Sequence, residues 1–187
     1  MINFSNIQTI GNKKILNDLK LAVFCSKICP PEIIVKSLDL AVKLRNNEIT
    51  VISGFQTVVE KEFLEILLKG DQNIIWAHSR NVKDLNRIPK KIKVEIEKGK
   101  FLIISDFPEN ENRPSEQRGL KRNYFVAEIA DTILILHASP NSNIEELALS
   151  YYNSDKKIYT IQSKNNSFLI NLGFKDIETS KIIYSEL

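Results

Sequence analysis

The chain has 187 residues, 43% hydrophobic and 26% charged, the composition of one ordinary globular domain with a single substantial core. No apolar run reaches the roughly 18–20 residues of a membrane span, and the opening MINFSNIQTIGNKK lacks the apolar centre of a secretion signal, so a cytoplasmic protein away from membranes is expected. A net charge of +3 and a pI near 8.7 permit a nucleic-acid partner without requiring one.

In chain order, LAVFCS (21–26) reads as a buried strand, and Pro30 and Pro31 start a helix, where proline is tolerated in the first turn. Ile33, Ile34, Leu38, Ala41, Val42 and Leu44 give that helix an apolar face. ITVIS (49–53) is the next strand, closed by Gly54, and VVEKEFLEILLK follows as a helix with Gly70 as its expected C-cap. NIIWA (73–77) is a third strand. KKIKVEIEK forms a short helix ended by Gly99, and KFLIIS (100–105) is a fourth strand. DFPENENRPSEQ (106–117) reads as an exposed loop. A helix over 120–129, a strand TILILHA (132–138), a helix over 143–153 and a last strand KIYTIQS (157–163) complete the series.

Strands that are apolar throughout, each separated from the next by a helix, predict a mostly parallel sheet with helices on both faces. The fold class is α/β and Rossmann-like, in a single domain spanning 1–187, with a core over about 11–163 and a C-terminal extension over 164–187. Ligands of such sheets bind outside the carboxyl ends of the strands. That rule gathers Ser26 and Lys27 after the first strand, Ser53, Gly54 and Gln56 after the second, and Ser139, Asn141, Ser142 and Asn143 after a later one.

RGLKRNYF adds Lys121, Arg122 and Asn123, read as a basic turn at a helix start whose guanidinium can bind phosphate. The competing reading pins Arg122 to Glu128 or Glu146. The loop SPNSN carries hydroxyls and amides at a helix N-terminus, but the same residues are good N-caps, with Asn143 before Glu146 as a variant capping box. Trp76, Tyr124 and Phe125 could stack on bases, although Trp76 sits in a core pattern. Cys25 and Cys29, with three residues between them, and the two histidines, His78 and His137, form no zinc or redox motif. No metal and no cofactor is expected.

GNKKILNDLKLAVFCSK, ITVISGF, GKFLIISDFPEN and KRNYFVAEIADTILILHA resemble, in order, the segments of the DprA/Smf DNA-processing family. The likeness runs from about residue 11 to 163. It implies an extended Rossmann fold that binds single-stranded DNA or a nucleotide-like ligand, commonly as a homodimer, with a recombinase as protein partner. The same stretch resembles the related LOG phosphoribohydrolases, which implies an alternative catalytic pair, Arg122 and Glu146. The chain departs from both patterns. Phe24-Cys25-Ser26-Lys27 stands where the first family has Val-Gly-Ser-Arg, and Val58-Val59-Glu60 stands where it has Gly-Ile-Asp. Pro140 and Ser142 replace glycines of the LOG loop. With no glycine cradle for a phosphate, the expectation leans to binding without catalysis, with a degenerate ligand-sensing or interaction member lacking a working phosphate site as a further alternative.

Overall fold

The computed structural model describes residues 7–82, 88–108 and 115–178. Strands β1 (Gln8–Gly11), β2 (Lys20–Cys25), β3 (Thr50–Ser53), β4 (Ile74–Ala77), β5 (Phe101–Ser105), β6 (Thr132–His137), β7 (Lys157–Thr160) and β8 (Lys175–Asp176) form one sheet. Helices α1 (Pro31–Leu44), α2 (Val58–Leu67), α3 (Lys90–Glu97), α4 (Glu116–Ile129), α5 (Asn143–Tyr151) and α6 (Ser167–Asn171) connect them.

The sheet order is β1-β5-β4-β3-β2-β6-β7-β8. Every neighbouring pair is parallel except β1 with β5, which is antiparallel. The mostly parallel sheet predicted from the alternating elements is therefore the observed one.

Side chains alternate across the pleat and feed two cores. Leu21, Val23 and Cys25 of β2 join Ile33, Leu40 and Leu44 of α1 and Val59, Phe63 and Leu67 of α2 on one face. Ala22 and Phe24 join Val126 and Ala127 of α4, Leu147 and Ala148 of α5, and Leu169 of α6 on the other. Phe24, Phe63 and Phe101 are among the largest side chains fully buried, each worth roughly 2–3 kcal/mol of transfer free energy. Burial on both faces explains why these strands read as continuous apolar runs.

Four local expectations change. Helix α4 starts at Glu116 rather than 120, because the Ser115 hydroxyl accepts from the Arg118 N–H and caps it. In α5 the cap is Ser142, which accepts from Glu145 N, so Asn143 is already the first helical residue. Gly70 is not the α2 cap, which is Leu68. A Cβ on Gly70 would lie 1.8 Å from the Arg45 carbonyl oxygen, so glycine there serves backbone approach. Residues 164–178 are no appendage either, since β8 pairs with β7 and extends the sheet. Residues 109–114, half of the loop expected over 106–117, lie outside the described residues, as do 179–187.

Candidate functional site

From β2 the sheet grows outward through β3 on one side and β6 on the other. That reversal leaves a crevice at the carboxyl ends of the strands. A cleft of about 580 Å³ opens there. Ser26, Lys27, Gln56, Arg122, Asn123, Ser139, Asn141, Ser142 and Asn143 all line it. The structure thus gathers nine of the residues that the sequence singled out, from three separate loops and α4.

Arg122 is the central feature. It lies mid-helix in α4, not in an exposed turn, and is only 3% exposed. Its Nε and Nη2 donate to Asn123 Oδ1 at 3.1 and 2.7 Å, and Nη2 also reaches Gln56 Oε1 at 3.3 Å. Nη1 is buried with no hydrogen-bond partner among the described residues. Burial lowers the arginine pKa, and the nearby Glu60 carboxylate opposes that shift. A charged group held dry with one donor vacant is costly unless something completes it. The pairing of Arg122 with Glu128 or Glu146 does not occur. Glu128 accepts instead from the Tyr151 hydroxyl, and Glu146 from the Tyr124 hydroxyl at 3.3 Å.

Gly54 explains how an arginine reaches this position. A Cβ at Gly54 would stand 2.0 Å from the Arg122 Cζ and Nη1 atoms. The glycine therefore makes room for the guanidinium, not for a ligand, and it does not line the cleft. Ser53 is fully buried, and its hydroxyl accepts from Phe55 N at 3.3 Å. Phe55 takes a φ of 45°, a strained value for an aromatic residue. Lys121 is not among the lining residues; its Nζ lies 4.8 Å above the Phe107 ring and 3.9 Å from Asp106 Oδ2.

The other predicted residues mostly bind one another. The Ser26 hydroxyl shares a 2.9 Å hydrogen bond with Ser142 Oγ and accepts from Ser139 N at 2.9 Å, tying the β2 and β6 loops together. Ser139 Oγ donates to the Ile28 carbonyl at 2.7 Å. Asn141 has a φ of 57°, a left-handed conformation that asparagine tolerates. Lys27 pairs with Glu116 at 2.8 Å, both side chains over 80% exposed, so the pair is screened by solvent and readily exchanged. Trp76, Tyr124 and Phe125 are not among the lining residues. Trp76 Nε1 donates to the Gly54 carbonyl at 2.9 Å.

Sequence reasoning passed over Glu60, which lines the cleft and is 4% exposed. Its Oε1 accepts from Cys25 N at 3.0 Å, and its Oε2 from Gln56 N at 2.8 Å and Thr57 N at 3.2 Å. The signal was legible as a Thr-x-x-Glu capping box, Thr57 to Glu60, which the structure forms in full. Cys25 and Cys29 are free thiols, and hydrogen bonding to Cys29 together with burial pushes the Cys25 pKa up. Among the described residues there is no cluster of His, Cys, Asp and Glu able to hold a metal ion.

His78 flanks this centre, its ring centroid 4.4 Å from that of Trp76. Burial, then the charges of Arg80 and Arg122, lower its pKa from 6.5 to about 4. The unfolded chain therefore takes up this proton first. Stability present above pH 6.5 is lost as pH falls toward 4, amounting to roughly 3 kcal/mol. Urea melts across that range should show this slope, and His78→Gln should flatten it. An unchanged slope in the variant would assign it to other groups.

Fold and cleft together define a Rossmann-like α/β domain with a ligand crevice at the switch point of its sheet. The chain belongs to the DNA recombination-mediator protein A family, whose family model matches residues 5–171. DNA processing protein A from Helicobacter pylori, whose structure was solved for its single-stranded DNA binding mode, is similar in fold, with a TM-score of 0.72 at 20% identity over 91% of this chain and 81% of that one. DNA processing protein A from Streptococcus pneumoniae has a TM-score of 0.76 at 18% identity, over 97% of this chain and 66% of that one. A molybdenum cofactor carrier protein from Chlamydomonas reinhardtii is a more distant likeness, with a TM-score of 0.50 at 11% identity over 85% of this chain and 88% of that one. No curated protein matches the sequence.

Proposed function

We propose that the chain binds single-stranded DNA in the switch-point cleft, with a backbone phosphate accepting from Arg122. The observation that carries this reading is the buried Arg122 guanidinium with one unpartnered nitrogen on the cleft wall. A phosphate oxygen supplies the missing acceptor and neutralises the charge. Family membership and the strand-binding relative of the same fold support it. Lys27 at the mouth is the next cation along the strand, once it leaves Glu116. Ser26, Gln56, Asn123, Ser139, Asn141, Ser142 and Asn143 shape the remaining wall. The cytoplasmic placement, the homodimer and the recombinase partner implied by the family resemblance belong to the same proposal. Among the described residues no helix is long and apolar enough to cross a membrane.

Fluorescence anisotropy with labelled oligo-dT tests the reading. Binding should weaken with salt, with a log–log slope of about −0.7 per phosphate contact, and Lys27→Ala should reduce the slope by about one contact. No binding at low salt, or equal affinity for duplex, would overturn it.

Catalysis through Arg122 and Glu146 has less geometric support. Glu146 does not line the cleft, and Pro140 offers no N–H to the 139–143 loop. Phosphoribohydrolysis needs a phosphate fixed so that the anomeric carbon meets a carboxylate. Incubation with adenosine monophosphate should therefore release no free base. Release that disappears in Glu146→Gln would promote the enzymatic reading.

A further inference from the structure

We propose that Glu60 is a built-in anion that sets the ligand class of the cleft, admitting single phosphodiester groups of a strand and excluding nucleoside di- and triphosphates. The inference rests on the cleft as the binding site and concerns what it selects.

Phosphates in sheets of this type sit on the free N–H groups of strand-to-helix loops and helix N-termini. Here several of those donors are taken by the chain itself. Glu60, on the first turn of α2, accepts from the N–H of Cys25 at the end of β2 and from those of Gln56 and Thr57 before α2, at 2.8–3.2 Å. At the second helix facing the cleft, Glu145 Oε2 accepts from Asn141 N at 2.6 Å. The Ser142 hydroxyl is held by Glu145 N and by Ser26. A phosphate at either place must displace a hydrogen-bonded carboxylate or lie against it.

Arg122 Nη1 is buried on the cleft wall and unpartnered among the described residues. Its two N–H groups suit a single phosphate group. A diester phosphate brings one negative charge, and its neighbours along the strand lie beyond the cleft, toward Lys27 at the rim. A polyphosphate concentrates several charges within a few bonds, so its remaining phosphates are brought toward the Glu60 carboxylate, which also lines the cleft. Like charges brought together beside a low-dielectric protein wall repel more strongly than in bulk water. Glu60 thus acts by exclusion, a common source of specificity.

The test is a set of direct titrations of the full chain with TpT, dTMP, dTTP and hexathymidylate, followed by nuclear magnetic resonance. The wild-type protein should prefer TpT and the hexamer over dTTP by about tenfold or more. Glu60→Gln, nearly isosteric but uncharged, should narrow that gap by about tenfold. dTTP binding as tightly as TpT to the wild type would overturn the inference without any variant, which keeps the test decisive if Glu60→Gln unfolds. A folded Glu60→Gln that weakens all four ligands alike would also overturn it, making Glu60 a structural cap only. Preference for TpT without measurable hexamer binding would instead sink the strand-binding reading and leave the exclusion by Glu60 standing. Absence of binding by all four would remove both.

Discussion

Replacing Gly54 by alanine is expected to remove most of the affinity for single-stranded DNA while leaving the sheet folded. The new Cβ would stand 2.0 Å from Arg122 Cζ and Nη1 and 2.5 Å from Nη2. The obstacle is the far end of a flexible side chain, so the guanidinium yields and the backbone does not. Yielding breaks the bonds from Arg122 to Asn123 Oδ1 and Gln56 Oε1 and carries the vacant Nη1 away from the cleft wall. A charge-assisted hydrogen bond of this kind is worth about 1.5–3 kcal/mol, so affinity for oligo-dT should fall about 10- to 100-fold. Circular dichroism and a thermal melt run beside the anisotropy titration separate this from unfolding. Wild-type affinity in a folded Gly54→Ala protein would mean that Arg122 does not hold the phosphate.

The largest expected loss of stability comes from Asn166→Ala. Asn166 is 1% exposed. Its Nδ2 donates to Leu136 O at 2.9 Å, Ile161 O at 3.0 Å and Thr160 Oγ1 at 3.1 Å. Its Oδ1 meets His137 Nδ1 at 2.8 Å. One side chain thereby joins the ends of β6 and β7 beneath the loop that leads to Ser139. Alanine leaves two carbonyls and an imidazole nitrogen short of partners in a dry site, each costing about 1–3 kcal/mol. Urea denaturation should show a loss of at least about 3 kcal/mol. A change below about 1 kcal/mol would mean that water or a neighbour replaces the amide.

What the sequence disclosed depended on how each feature is encoded. The central strands were legible because burial on both faces demands unbroken apolar runs such as LAVF and LIIS. β1 was not, since QTIG is a short edge strand with no apolar run. β8 is two polar residues, Lys175 and Asp176, recognisable only by their pairing with β7. The switch-point rule located the cleft, because strand order alone dictates where loops diverge.

The electrostatics within the cleft were not legible. A basic turn such as KRN ordinarily reads as a solvated face, where replacing Arg122 costs little stability. Its burial depends on Gly54, 68 positions earlier in the chain, and no periodicity links the two. Likewise SPNSN, with no glycine, read equally well as a phosphate loop and as a helix cap. The structure explains that loop as a capped turn, with Ser142 and Glu145 closing its own donors. The vacant donor belongs to α4 instead.

A structure of the protein with a short oligothymidylate tests the central claim most directly. A phosphate oxygen is expected within hydrogen-bonding distance of Arg122 Nη1, with the strand leaving the cleft toward Lys27. A strand bound elsewhere on the domain, with Arg122 Nη1 still unpartnered, would contradict it.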